Sequence, residues 1–374
     1  MSKISCLCLC LLLKPAASLA GVLPEDRADA LYHSYDGGGV EVTGPSILVR
    51  KGDKKHFSVS GNYYVDSISS ASIDVITQGS PYSEERIQKS IGVDLLHANT
   101  IFSLGYTNSE ESDYTADTTN FSISHSLFGD LTTVTMGFAL GRDEVLANGT
   151  PDFSENVDRK QYQLNISQVL TKDMILAINF ENVTEEGFLN NPYRSVRYDN
   201  GSGGDEFQSE LYPGTRTSNA IAARLKYYLP YRAALGAGYR YFRDDWEIEA
   251  HTLELNYTHP LKQHWTLDLQ YRYYTQSEAE FYSDLFPFRD AQNFLARDKE
   301  LSQFDNHSIG FGISYAFLNN GWRFIDKAQA SFKINHFWFS YDNYRDLTKG
   351  GATGEEPLYE FESDVIQLFV SIWY

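Results

Sequence analysis

Asp364-Val365-Ile366-Gln367-Leu368-Phe369-Val370-Ser371-Ile372-Trp373-Tyr374 carries the pattern that decides the fold. Ile366, Leu368, Val370, Ile372 and Tyr374 recur at every second position. Successive side chains of a strand point to opposite sides, so this spacing describes a pleated segment with one apolar face. The five side chains read as the membrane-insertion signal of a barrel strand. The same rule works outward through the chain. Trp265, Leu267, Leu269, Tyr271 and Tyr273 alternate with Thr266, Asp268, Gln270, Arg272 and Tyr274. Ile309, Phe311, Ile313, Tyr315 and Phe317 alternate with Ser308, Gly310, Gly312, Ser314 and Ala316. Val134, Met136, Phe138 and Leu140 alternate with small or hydroxylated residues.

The chain has 374 residues, 26 Tyr and 23 Phe, and a net charge of -19. Aromatics favour strands. The acidic balance lacks the basic footprint that nucleic-acid binding requires, so no nucleic-acid partner is expected. No apolar run is long enough for a membrane-spanning helix. Residues 1–20 read as a signal peptide: Lys3, then the apolar stretch from Ile4 to Leu13, then Ser18-Leu19-Ala20 as the cleavage site. Cys6, Cys8 and Cys10 all fall inside it. Residues 21–374 would therefore form one exported domain without thiol chemistry, disulfide or CxxCH haem motif.

Short links rich in turn formers fall near Gly52-Asp53, His97-Ala98-Asn99, Phe128-Gly129-Asp130, Thr171-Lys172-Asp173, Pro230-Tyr231, Pro260-Leu261-Lys262 and Asn319-Asn320-Gly321. Longer polar stretches lie between them, at roughly 70–87, 108–116, 143–159, 184–216, 278–305 and 342–362. Short turns at one end and long loops at the other describe a transmembrane antiparallel β-barrel of the Gram-negative outer membrane, with the turns periplasmic. A soluble sandwich would also alternate. Its opposite face would not hold Asp94, Arg224, Arg240, Glu254, Asp268, Arg272 and Lys333. Counting strands and requiring an even number gives 16, with residues 27–35 supplying one. The alternative is 14, with the N-terminal segment threaded into the lumen.

A barrel of this size is wide enough for an aqueous channel unless something fills it. The 278–305 stretch carries Phe281, Phe286, Phe288 and Phe294, which need a place to pack. Together with 184–216 it either folds into the mouth or caps it from outside. Candidates for lining the lumen or its constriction are Glu84, Glu85, Arg86, Arg194, Arg197, Arg216, Arg240, Asp268, Arg272, Asp284, Arg289, Arg297, Asp298 and Lys299. Inward charges of both signs either set up a transverse field that orients small polar solutes or pair with one another and fill the barrel. The acidic runs at Glu110, Glu111 and Asp113 and at Glu355, Glu356, Glu360 and Glu362 are either solvated faces or sites for cations that bridge lipopolysaccharide. His259 and His264 lack a third ligand in sequence, and no Ser is spaced to partner His125. No catalytic, cofactor or metal residue is therefore assigned, and an enzyme is not expected.

Several stretches carry a resemblance to a known family. They are Leu23-Pro24-Glu25-Asp26-Arg27-Ala28-Asp29, Tyr35-Asp36-Gly37-Gly38-Gly39-Val40, Ser80-Pro81-Tyr82-Ser83-Glu84-Glu85-Arg86, residues 187–194, Tyr228-Leu229-Pro230-Tyr231-Arg232, residues 281–301, Gly321-Trp322-Arg323-Phe324-Ile325-Asp326-Lys327 and Asp364-Val365-Ile366-Gln367-Leu368. In these the chain resembles the domain of unknown function 3570 family of outer-membrane proteins. The resemblance implies a barrel, with contact to outer-membrane lipid and lipopolysaccharide and folding by the barrel-assembly machinery. It assigns no catalytic residue. The family's gene neighbourhoods often look connected to periplasmic thiol or flavin redox proteins, which implies a periplasmic or surface redox partner. Two functions stay open: a porin-like channel for transport of small polar solutes, or a filled barrel that docks an extracytosolic redox or cofactor-handling protein.

Overall fold

The computed structural model describes residues 22–78, 82–202 and 204–374. The expected signal peptide lies outside them. Nine strands come first: β1 (Arg27–Gly37), β2 (Val40–Gly52), β3 (Phe57–Ser70), β4 (Tyr82–His97), β5 (Thr100–Glu110), β6 (Tyr114–Leu127), β7 (Thr132–Leu146), β8 (Ser154–Thr171) and β9 (Met174–Gly187). Two short strands, β10 (Ser195–Asp199) and β11 (Asp205–Ser209), form a separate hairpin. The wall resumes with β12 (Thr215–Tyr228), β13 (Ala234–Asp244), β14 (Glu249–Leu261) and β15 (Trp265–Gln276). It ends with β16 (Phe304–Leu318), β17 (Lys327–Arg345) and β18 (Leu358–Trp373). All but β10 and β11 pair antiparallel with two neighbours, and β1 pairs with both β2 and β18, closing a barrel of 16 strands. Closure leaves no edge and satisfies the backbone internally, which is the condition for crossing lipid with strands. Among the described residues no helix is long and apolar enough to cross a membrane.

Turn chemistry sets the short-turn end. Asp53 Oδ1 accepts the backbone N–H groups of Lys55, His56 and Phe57 at 2.9, 2.6 and 3.0 Å, which turns the chain from β2 into β3. At the other end, Gly38 and Gly39 have φ of 58° and 79°. A two-residue hairpin of this kind needs positive φ at both positions. A side chain on Gly39 would also meet the Ala71 carbonyl at 2.4 Å.

Several stretches read as loops are strand. β4 starts at Tyr82, β5 runs to Glu110, β7 runs to Leu146 and β8 starts at Ser154. The ladder continues after the apolar alternation has stopped, because strand ends that rise above an apolar band have polar residues on both faces.

The two faces of the wall differ. Ile91, Leu104, Met136, Ile221, Leu255, Ile309 and Leu368 are large, apolar and exposed on the outside. The inner face is polar along most of its length and aromatic near the long loops. There Phe242, Phe304, Phe339 and Phe361 pack against a buried cluster that includes Ile73, Tyr212, Trp246, Phe281, Tyr282, Leu301, Tyr341 and Tyr359. Ile73 belongs to α1 (Ile73–Gln78), which follows β3, and Trp246 follows β13. Those strands stand on opposite sides of the ring. Loop residues from opposite sides thus share one cluster, and the 277–303 loop packs against the inner-face aromatics of β13, β16, β17 and β18. Each buried aromatic contributes roughly 1.5–3 kcal/mol to holding it there.

Candidate functional site

The aromatic plug brings acids and bases on different loops into contact. Arg197, on the β10–β11 hairpin, is 0% exposed. Its Nη1 and Nη2 donate to the two carboxylate oxygens of Glu356 at 2.6 and 3.0 Å. Its Nε donates to the Asp284 carbonyl at 2.9 Å, and Nη2 also meets the Asp284 carboxylate. Arg297 reaches Asp284 Oδ1 from the other side at 2.9 Å and donates to the Arg345 carbonyl at 3.0 Å. Its guanidinium lies 4.5 Å from the Tyr344 ring centre. One knot therefore ties together the loops β9–β12, β15–β16 and β17–β18. Burial opposes charge on Glu356, but the hydrogen bonds from Arg197 prevail and hold its carboxyl below the ordinary range. Glu356 stood among the acids read as a solvated run, and the structure makes it a buried partner.

Away from the plug, the mouth is lined by paired charge. Asp66, 1% exposed, takes His33 Nε2 at 2.7 Å and the Arg86 guanidinium. Arg159 joins Asp143 at 2.5 Å and Glu185 at 2.8 Å. Arg216 donates twice to Asp244, at 2.6 and 2.9 Å. Tyr193 donates to Asp113 at 2.5 Å and accepts the Asn148 N–H at 2.6 Å. Burial first, then the Asp113 hydrogen bond, pushes its phenol up to about 12. Glu84, Glu111 and Asp113 place carboxylate oxygens within 4.8 Å of one another. Two of these acids are engaged locally, since Glu84 accepts the Ser112 N–H at 2.9 Å and Asp113 accepts from Tyr193.

The candidates from sequence thus divide by depth. Arg197, Asp284 and Arg297 meet in the plug, and Arg194 pairs with Asp298 beside it. Lys299 opens a single 3-10 turn in the same loop. Glu84, Arg86 and Arg216 line the mouth. Arg240, Asp268 and Arg272 face the lumen deeper in. Two depart from a lumen position. Glu85 alternates with Arg86 and stands on the outer face, exposed. Arg289 sits at an exposed loop tip beside Asp290, 3.7 Å away. The first is a parity effect, since strand neighbours cannot share a face. Sequence reading did not single out Asp66, Asp143, Glu185 or Asp244. Each lies at the long-loop end of a strand, where the alternation that marks an inward position fades.

Below the plug the inner face is polar and accessible. Asn120, Gln163, Arg224, Lys226, Gln270 and Lys333 face inward from β6, β8, β12, β15 and β17, yet all are exposed. The positive side chains gather on one wall: Arg224, Lys226, Arg240, Arg272 and Lys333 on β12–β17, against Glu254 and Asp268. Across the ring Asp94 on β4 faces this wall, whereas Glu181 stands on β9 directly beside β12, and Asp143 and Glu185 are paired with Arg159 at the mouth.

A family model described as "Protein of unknown function (DUF3570)" matches residues 42–330. Among curated proteins none matches the chain. In fold it is similar to a bacterial polysaccharide outer membrane secretin, at 9% identity and a TM-score of 0.53, over 94% of this chain and 99% of that one. It also aligns with OmpT, an outer membrane protein of Vibrio cholerae, at 11% identity and a TM-score of 0.44, over 93% and 97% of the two chains. The siderophore receptor PirA of Acinetobacter baumannii aligns at 8% and 0.44, over 94% of this chain and 60% of the receptor. At such identities the likeness is one of fold.

Proposed function

The chain belongs to the DUF3570 family, and from that premise we propose that it is an outer-membrane channel for small polar solutes, narrowed at one mouth by its own loops. The observation that carries this reading is the polar, accessible inner face. Inward polar side chains on opposite walls are exposed below the plug, as they would be around a column of water. A filled barrel would bury them against one another. On this reading the apolar outer belt faces lipid and lipopolysaccharide, the short turns are periplasmic and the knotted loops are outside. The gathering of inward positive charge on β12–β17 supplies a field in the lumen that orients a polar solute.

Single-channel recording of the refolded protein in a planar bilayer tests this. Discrete conductance steps are expected, larger when residues 281–300 are deleted. Silence from protein shown to be folded would overturn the channel and favour a docking barrel, which should then co-purify with a periplasmic or surface partner.

A further inference from the structure

A recess of about 260 Å³ opens in the positive wall beneath the plug, lined by Arg224, Arg240, Arg272, Glu254, Thr252 and Tyr274. Register makes the space. Arg224 stands opposite Gly238 and Arg240 opposite Ala222, so each long side chain faces a position without bulk. The three guanidiniums are poorly compensated. Arg272 Nε is 3.9 Å from Glu254 Oε1 and its Nη1 donates to Asn306 at 3.2 Å. Among the described residues no carboxylate lies within 4.0 Å of Arg224 or Arg240. Two of the three are steadied from above, with Arg240 5.3 Å from the Phe242 ring centre and Arg272 5.2 Å from that of Tyr274.

Three like charges around one recess repel, and an anion placed between them relieves that repulsion. Guanidinium groups recognise planar or tetrahedral oxyanions through paired N–H donors. We propose that Arg224, Arg240 and Arg272 form a binding site in the lumen for small oxyanionic solutes, those bearing a carboxylate or phosphate group. The proposal rests on the channel reading and names the solute class that the channel favours. Glu254 and Thr252 add an acceptor and a hydroxyl at the edge of the recess, which suits a solute that also carries hydroxyl groups.

The test is made on the refolded protein in a planar bilayer under a KCl gradient. The reversal potential should show anion preference. Inorganic phosphate, and separately gluconate, should reduce the chloride current, and the two probes distinguish phosphate from carboxylate recognition. Arg240→Gln with Arg272→Gln should raise the half-blocking concentration by about tenfold or more, since charge-assisted hydrogen bonds are lost. Arg142→Gln, on the outer face, should leave it unchanged, and heat-modifiable migration of each variant on a gel checks folding. Cation preference, or block indifferent to the double substitution, would overturn the site and leave the channel standing. If the folded protein does not conduct, the channel reading fails, and calorimetric titration of detergent-solubilised protein with the same two probes decides the site. Heat lost in the double variant sustains it, and no heat overturns it.

Discussion

Replacing Arg197 with Met should open the mouth while leaving the barrel intact. Arg197 has no exposed surface, and Glu356 is 6% exposed. The substitution removes both guanidinium bonds to Glu356, at 2.6 and 3.0 Å, and leaves that carboxylate with the Gly354 N–H at 3.0 Å. Removing one partner of a buried ion pair costs about 3–5 kcal/mol. The wall does not depend on Arg197, because its strands are closed by their own ladder. The cost therefore falls on the docked state of three loops, and at about 1.4 kcal/mol per decade the open population should rise by roughly two to four orders of magnitude. Limited proteolysis reads this directly. Cleavage within 188–214, 277–303 and 346–357 should accelerate, with heat-modifiable migration unchanged. Adding Glu356→Gln should recover part of the protection, because it removes the stranded charge. Loops that stay resistant in a folded Arg197→Met protein would refute the idea that the knot holds the mouth.

Other outcomes follow from the same structure. The carboxyl of Glu356 is held low, so its contribution to loop docking is complete above the ordinary glutamate range and is lost as pH falls through the lowered value. Proteolysis of the loops in a pH series should show this acid-side loss, and Glu356→Gln should abolish it. The phenol of Tyr193 is held high, so its contribution is present below the ordinary value and is lost as pH rises through about 12. Tyr193→Phe should loosen the 147–153 loop by about 1 kcal/mol, seen as faster amide exchange there. Leu104, 57% exposed on the outer face, sits in the middle of β5. Leu104→Arg should destabilise the barrel in liposomes by roughly 2–4 kcal/mol in a denaturant titration, while Asn120→Arg, facing the lumen, should cost much less. Equal costs would mean the faces are assigned wrongly.

The barrel was legible because period-two alternation survives wherever one face is apolar and the other wet. Ile366, Leu368 and Val370 show it, and they are exposed on the outer face. The strand count was legible because Gly38 and Gly39 mark a turn that turn chemistry explains. The deep lumen charges were legible too, since Arg240, Asp268 and Arg272 alternate with large apolar residues. The plug was only half legible. The Phe residues of 278–305 announced that something must pack, but nothing local says against what. Arg197 finds Glu356 across 159 positions of sequence. That contact depends on where three separate loops arrive, and a local pattern carries no such information. For the same reason Arg289 and Arg297, neighbours in one loop, look equivalent in sequence, while one is buried in the knot and the other points to solvent.

The plug and the arginine recess are two ends of one construction. Phe242 belongs to the inner face against which the plug packs, and the Arg240 guanidinium lies against the same ring. The Tyr274 ring lies tilted against Phe304, which also supports the plug, while Arg272 lies against it from below. Aromatic rings at this level thus have a loop on one side and a cation on the other. The charges change character across that level. Above it, Arg197, Arg297, Arg86, Arg159 and Arg216 each have a carboxylate at hydrogen-bond distance, which fits their work of holding loops and strand ends together. Below it, among the described residues no carboxylate lies within ion-pair distance of Arg224, which is exposed, or of Arg240, which is half-buried. Paired charge stabilises a shape, whereas unpaired charge facing water is free to meet a solute. On the proposed channel reading, the two accounts of inward charge apply to one barrel at different depths, with structural pairs at the mouth and solute-facing charges beneath it.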